Sequence, residues 1–67
     1  MINLFEKLSN DKNVKVIAVK LVGDEEKSFR LNGCKLSINA EKTLITFTSP
    51  LRKVVINPTY IERVSIS

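Results

Sequence analysis

The chain has 67 residues, eleven Lys and Arg against seven acids, a net charge of +4 and no His. That length holds one domain, residues 1–67, and a domain this small buries only about 60% of the surface its unfolded chain exposes. One cysteine excludes an internal disulfide, and one Cys without His leaves no structural zinc site, because zinc wants four N or S ligands. Self-association is the stabiliser that remains, so a homo-oligomer is expected.

Residues 1–12, MINLFEKLSNDK, do not read as a signal peptide, since Glu6, Lys7 and Asp11 interrupt the apolar residues. Nothing approaches the ~18 unbroken apolar residues of a membrane span, so no membrane partner is expected. A free thiol fits a reducing cytoplasm. Cys34 itself is expected to be a small buried hydrophobe or a turn neighbour, and not a nucleophile.

Ile2, Leu4, Phe5 and Leu8 recur every three to four residues, which predicts a short helix over about 2–10 with one apolar stripe. The following Ser-Asn-Asp ends it by competing for backbone hydrogen bonds. Two turns are unstable alone, so the helix must pack on something. Strands are expected over about 13–67. VKVIAVKLV is β-branched and nearly continuous, with Val14 and Val16 on one face and Ile17, Val19 and Leu21 on the other. That phase slip predicts a bent or bulged strand covered on both sides. GDEEK at 23–27 is a solvated polar turn.

Phe29 and Leu31, then Cys34, Leu36 and Ile38, alternate with polar residues, and the phase changes across Asn32-Gly33. A two-residue hairpin turn and a bend in one long strand predict the same inward set. Asn-Gly favours the hairpin by turn chemistry. Arg30 facing Lys35 across it disfavours the hairpin, as like charges directly opposite repel. NAEK at 39–42 is another turn, TLITFTS a strand, and Pro50 marks the next break because it has no N–H for a ladder. RKVVIN is a strand, NPTYIE a single helical turn opened by Pro58, and RVSIS the closing strand. Phe5, Ile17, Val19, Phe29, Leu31, Leu36, Ile38, Phe47, Val54, Ile56, Val64 and Ile66 are the expected core.

The expected fold is therefore mainly β: a short N-terminal helix, then a five- to six-stranded, strongly bent antiparallel small barrel, closure removing most exposed edges. This order resembles the Sm-like (Hfq/LSm-type) family of small β-barrels. MINLFEKL stands where that family has its helix, VKVIAVKLV its first strand, FRLNGCKLSIN its bent second strand, TLITFTS and RKVVIN its third and fourth, and PTYIERVSI its 3₁₀ turn and last strand. The resemblance implies an Sm-like or SH3-like barrel in which Gly33 lets the second strand bend. The family's uridine pocket does not carry over. Asn39 and Thr43 stand where members tend to have Asp and Asn, Glu41 or Lys42 falls at the base-stacking position, and Asn57-Pro58-Thr59 replaces an aromatic-Lys-His motif.

No reaction is named by these residues. Without His, a Ser or Cys nucleophile lacks its usual base, and two glycines make no phosphate-cradling loop. No catalytic residue, cofactor, metal or small-molecule substrate is expected. Lys20, Arg30, Lys35, Lys53 and Arg63 fall on outward strand positions, where a barrel could gather them into a weak, sequence-tolerant RNA or DNA contact. The plainer alternative is a solvated face whose charges guard strand edges. A third reading is a protein-interaction or self-assembly module that pairs sheet edges. Tyr60 could stack a base, but beside Ile61 it is expected to pack on the core.

Overall fold

A computed structural model describes residues 2–67. Helix α1 spans Ile2–Asn10, and strands follow as β1 (Val16–Leu21), β2 (Lys27–Arg30), β3 (Lys35–Ile38), β4 (Ile45–Thr48) and β5 (Lys53–Ile56). A 3₁₀ turn at Pro58–Tyr60 leads into β6 (Ile61–Ile66). Helix α1 buries Phe5 and Leu8, as its apolar spacing requires. Its end is set by side chains: Ser9 Oγ and Asn10 Nδ2 both donate to the Glu6 carbonyl, at 2.8 and 3.1 Å. The Asp11 carboxylate then accepts from the Asn13 N–H at 2.9 Å and turns the chain toward β1.

The strands form two antiparallel sheets, ordered β2-β1-β6 (sheet A) and β3-β4-β5 (sheet B). The expected closed barrel is not what the described strands make. β2 does not pair with β3, nor β5 with β6, so the two ladders stay open. The cause lies in two connections. Around Asn32-Gly33 the chain makes a turn, Gly33 N–H donating to the Arg30 carbonyl at 3.3 Å, that passes it from one sheet to the other. The 3₁₀ turn, in which Asn57 Oδ1 accepts from Thr59 N–H at 3.0 Å, sends β6 to the free edge of β1 instead of to β5.

Asn32-Gly33 is thus no hairpin. Phe29 pairs with Ile17, and Leu36 with Phe47, instead of with each other. Nor does the turn need glycine: Gly33 lies outside the left-handed region, and a Cβ there would meet nothing within 4 Å. Gly23 is the glycine that the backbone requires. Its φ of 77° sits third in the Leu21–Asp24 turn, the position where a type II turn demands positive φ.

The phase slip at Val16/Ile17 makes no bulge, because the ladder to β2 is regular from Val16 to Val19. Val14 precedes the strand, so its burial follows no strand phase. The irregularity falls between Lys20 and Leu21, where β6 carries Glu62 as an extra residue.

Between the sheets, Phe29 and Phe47 stack with ring centroids 3.9 Å apart and planes 9° apart. Phe5 meets Phe47 edge-on at 6.5 Å. Ile17 and Val19 from sheet A, with Ile45 and Ile56 from sheet B, complete the fully buried set with Leu8. Leu31, Leu36, Ile38, Val54 and Val64 are half-buried around it. Ile66 departs from expectation: it ends an edge strand and is 45% exposed.

The β3–β4 loop is organised by Asn39. Its Oδ1 accepts from the N–H groups of Thr43 and Leu44, at 2.8 and 2.9 Å, and its Nδ2 donates to Thr43 Oγ1 and Glu41 Oε2. The loop holds Lys42 at φ 58°, an uncommon conformation for a lysine, with its Nζ 3.3 Å from Glu6 Oε1 on α1.

Phe47→Ala removes the ring shared by both aromatic contacts and should cost about 3–5 kcal/mol, enough to unfold so small a domain. Leu36→Ala, at a half-buried position, should cost clearly less in the same urea titration. Asn39→Ala strips two exposed backbone N–H groups of their acceptor and should cost about 0.5–1.5 kcal/mol. Equal losses for Phe47→Ala and Leu36→Ala would contradict this account of the core.

Candidate nucleic-acid interface

The register divides the five basic residues singled out above between two faces. Lys35, Thr48 and Lys53 stand side by side across sheet B, where they alternate with inward Leu36, Phe47 and Val54. Arg30 lies opposite Val16 at one end of sheet A, and Lys20 opposite Arg63 toward its other end. The connection through residues 31–34 joins the Arg30 end of sheet A to the Lys35 end of sheet B. The structure therefore brings Arg30, Lys35 and Lys53 to one end of the molecule and leaves Lys20 and Arg63 toward the other.

Partners separate the groups further. The Glu62 bulge brings its carboxylate onto Lys20 Nζ in a short ion pair. Arg63 donates to Glu26 Oε2 at 3.0 Å, and Lys27 lies 3.5 Å from Asp24. With Lys42 on Glu6, four cations at this end are each paired with an acid, while Lys7, beside Glu6 on α1, has no ion-pair partner among the described residues. Six acids (Glu6, Asp24, Glu25, Glu26, Glu41 and Glu62) against those four cations and Lys7 leave it a net charge of −1.

At the other end Lys12, Lys15, Arg30, Lys35, Arg52 and Lys53 have no ion-pair partner among the described residues. Asp11 is the one acid there, so this end carries a net +5. A groove of about 870 Å³ runs between the end of α1 and the start of β1, floored by Leu8, Val14 and Leu31 and rimmed by Lys12, Lys15 and Arg30.

Arg52 was not singled out from the sequence, because it lies in a turn where strand alternation gives no facing. Ser49 N–H donates to the Arg52 carbonyl at 2.8 Å and closes the β4–β5 turn. The Arg52 guanidinium then lies 5.6 Å from the centre of the Phe29 ring. That cation–π contact fixes the side chain without neutralising it.

Tyr60 does not pack on the core as expected and is 59% exposed. It belongs to the acidic end, where its carbonyl accepts from Val22 N–H in the β1–β2 loop. Phe5, Phe29 and Phe47 are all buried, so the basic end presents no aromatic face to solvent. Half-buried Cys34 packs against the core as a small hydrophobe. Among the described residues no helix is long and apolar enough to cross a membrane, and no group of acids, Cys or His has metal-site geometry. Comparison with family models, with curated proteins and with solved structures gives no match.

Two carboxyls at the acidic end titrate below their usual range. Glu62 is lowered by the hydrogen bond from Lys20 and then by its charge. Asp24 is lowered by the Glu25 backbone N–H and then by the charge of Lys27. Because the folded state binds these protons less readily, the associated stability is present above the unfolded pKa and is lost as pH falls through the lowered folded value. Lys20→Ala should return the Glu62 midpoint to the ordinary glutamate range in an NMR carboxyl titration and leave Asp24 nearly unmoved. A Glu62 midpoint unaffected by that substitution would show that the bulge does not deliver the carboxylate to Lys20.

Proposed function

We propose that this chain is a non-enzymatic module that binds nucleic acid weakly and in a sequence-tolerant way through its basic end. The observation that carries this is the segregation of charge. Lys20, Lys27, Lys42 and Arg63 are each tied to an acid, whereas six of the seven unpaired cations gather at the opposite end. A solvated face that merely guards edges would not need such sorting. Phosphate contacts from Lys and Arg position a protein on a duplex without reading bases, and the absence of an exposed aromatic at this end fits binding led by the backbone and not by base stacking. Arg30 and Arg52 suit phosphate best, as their planar forks match two oxygens at once.

The order of elements supports kinship with the Sm-like family: an N-terminal helix, a second strand divided at Asn32-Gly33, a 3₁₀ turn, and a last strand lying beside the first. A cytoplasmic location is part of the same proposal.

A second reading is self-assembly by sheet-edge pairing, favoured by exposed Val55 on edge strand β5 and exposed Ile66 on edge strand β6. Such contacts would supply the apolar burial that a 67-residue chain lacks.

Mobility-shift titrations with single-stranded RNA and duplex DNA separate the two. Binding should weaken steeply with salt, each neutralised phosphate adding about −0.7 (single strand) to −0.9 (duplex) to the slope of log affinity against log salt. Charge reversal at Lys35 and Lys53 should abolish the shift and leave the fold intact, both side chains being exposed. Lys20→Ala and Arg63→Ala should bind near the wild-type level. No shift even at low salt, together with a salt-insensitive oligomer in sedimentation, would favour edge pairing instead.

A further inference from the structure

Leu51 is 96% exposed, the most open of the large hydrophobic side chains. It sits at the tip of the β4–β5 turn, in Ser49-Pro50-Leu51-Arg52, amid the unpaired cations of the basic end. The tip is stiff. Ser49 N–H and Oγ both donate to the Arg52 carbonyl, at 2.8 and 3.2 Å, and Arg52 N–H donates back to Ser49 Oγ at 3.2 Å. Pro50 fixes its own φ at the position where such a turn accepts it, and Arg52 is anchored over Phe29.

We infer that Leu51 is a wedge that enters the minor groove of duplex DNA and partly unstacks a base step, an inference that rests on the nucleic-acid reading above. An undeformed minor groove, about 6 Å wide, is narrower than a helix of about 10–12 Å but admits a two-residue turn tip. Leu and Pro are among the apolar side chains that insert between base steps and kink a duplex. The flanking charges suit the task. Lys53 follows the tip directly, and Lys35 stands two strands away in the same row. At about 4.8 Å per strand the two lysine backbones are ~10 Å apart, enough to straddle the groove. A rigid tip loses little freedom on insertion, and burial of Leu51 offsets part of the stacking that is lost. Flexible pyrimidine–purine steps, which unstack most readily, should be favoured over stiff A-tracts.

Two labelled duplexes test this, one carrying 2-aminopurine beside a TA step and one carrying a donor and acceptor at its ends. The wild-type protein should raise the 2-aminopurine fluorescence and shorten the end-to-end distance. Leu51→Ala should still bind with the same salt slope and lose both signals, whereas Leu51→Met should keep them. Full unstacking and bending by Leu51→Ala would overturn the wedge, as would wild-type binding with neither signal. Failure of the wild type to bind any duplex at low salt would overturn the nucleic-acid reading beneath it. If Leu51→Ala instead loses binding to phosphatidylserine vesicles while duplex signals are unchanged, the tip serves an anionic membrane and the inference is wrong.

Discussion

The stack of Phe29 on Phe47 is the contact on which the rest of this fold depends. Sheets A and B share no hydrogen-bonded ladder, so side-chain burial must hold them together. The two rings, one from each sheet, face each other at 3.9 Å, and Phe5 closes the third side from the helix. Aromatic pairs such as the edge-on Phe5–Phe47 contact contribute about 0.5–1.5 kcal/mol beyond their area. In a chain whose total stability is only about 0.05–0.15 kcal/mol per residue, that is a large share. The same ring sets the basic end, because Arg52 rests on Phe29 and brings the β4–β5 turn against β2. Core and charged surface are therefore coupled through one phenylalanine.

Charge sorting is the second organising feature. Exposed ion pairs contribute little to stability, typically below 1 kcal/mol each. Their consequence here is availability. Lys20 and Arg63 are basic residues on outward strand positions, just as Lys35 and Lys53 are, yet Glu62 and Glu26 occupy the first pair and nothing occupies the second. A bulge that shifts one glutamate by a single residue accounts for half of that difference.

Much of the fold was legible in the sequence. The apolar spacing of Ile2, Leu4, Phe5 and Leu8 marked helix α1 at its observed bounds, and Asn57-Pro58 marked the 3₁₀ turn. Strand alternation gave Phe29, Phe47 and Ile56 as inward. Barrel closure was not legible, because it depends on which distant edges meet, and local patterns carry no record of that. Nor could alternation decide between hairpin and bend at Asn32-Gly33, since both face the same side chains inward. The five outward cations were visible as types, but their sorting needed the register. Arg52 and Asn39 were missed as key residues because both act from loops, where facing follows hydrogen bonds and not periodicity.

A net +5 gathered at one end of so small a molecule is unfavourable in isolation, since like charges repel and the domain has little stability to spare. The fold tolerates it because the side chains are exposed and screened, with a Debye length of about 8 Å at physiological salt. Anything anionic that settles on this end removes the repulsion and adds attraction, so it binds the folded state more tightly than the unfolded chain and stabilises it by linkage. The rigid turn sharpens this coupling. Ser49 and Phe29 both contact Arg52, which opposes relaxation of the cations by movement of the turn. The unfavourable arrangement is thus kept in place by the aromatic core, so an anion settling on this end would meet cations that are already positioned.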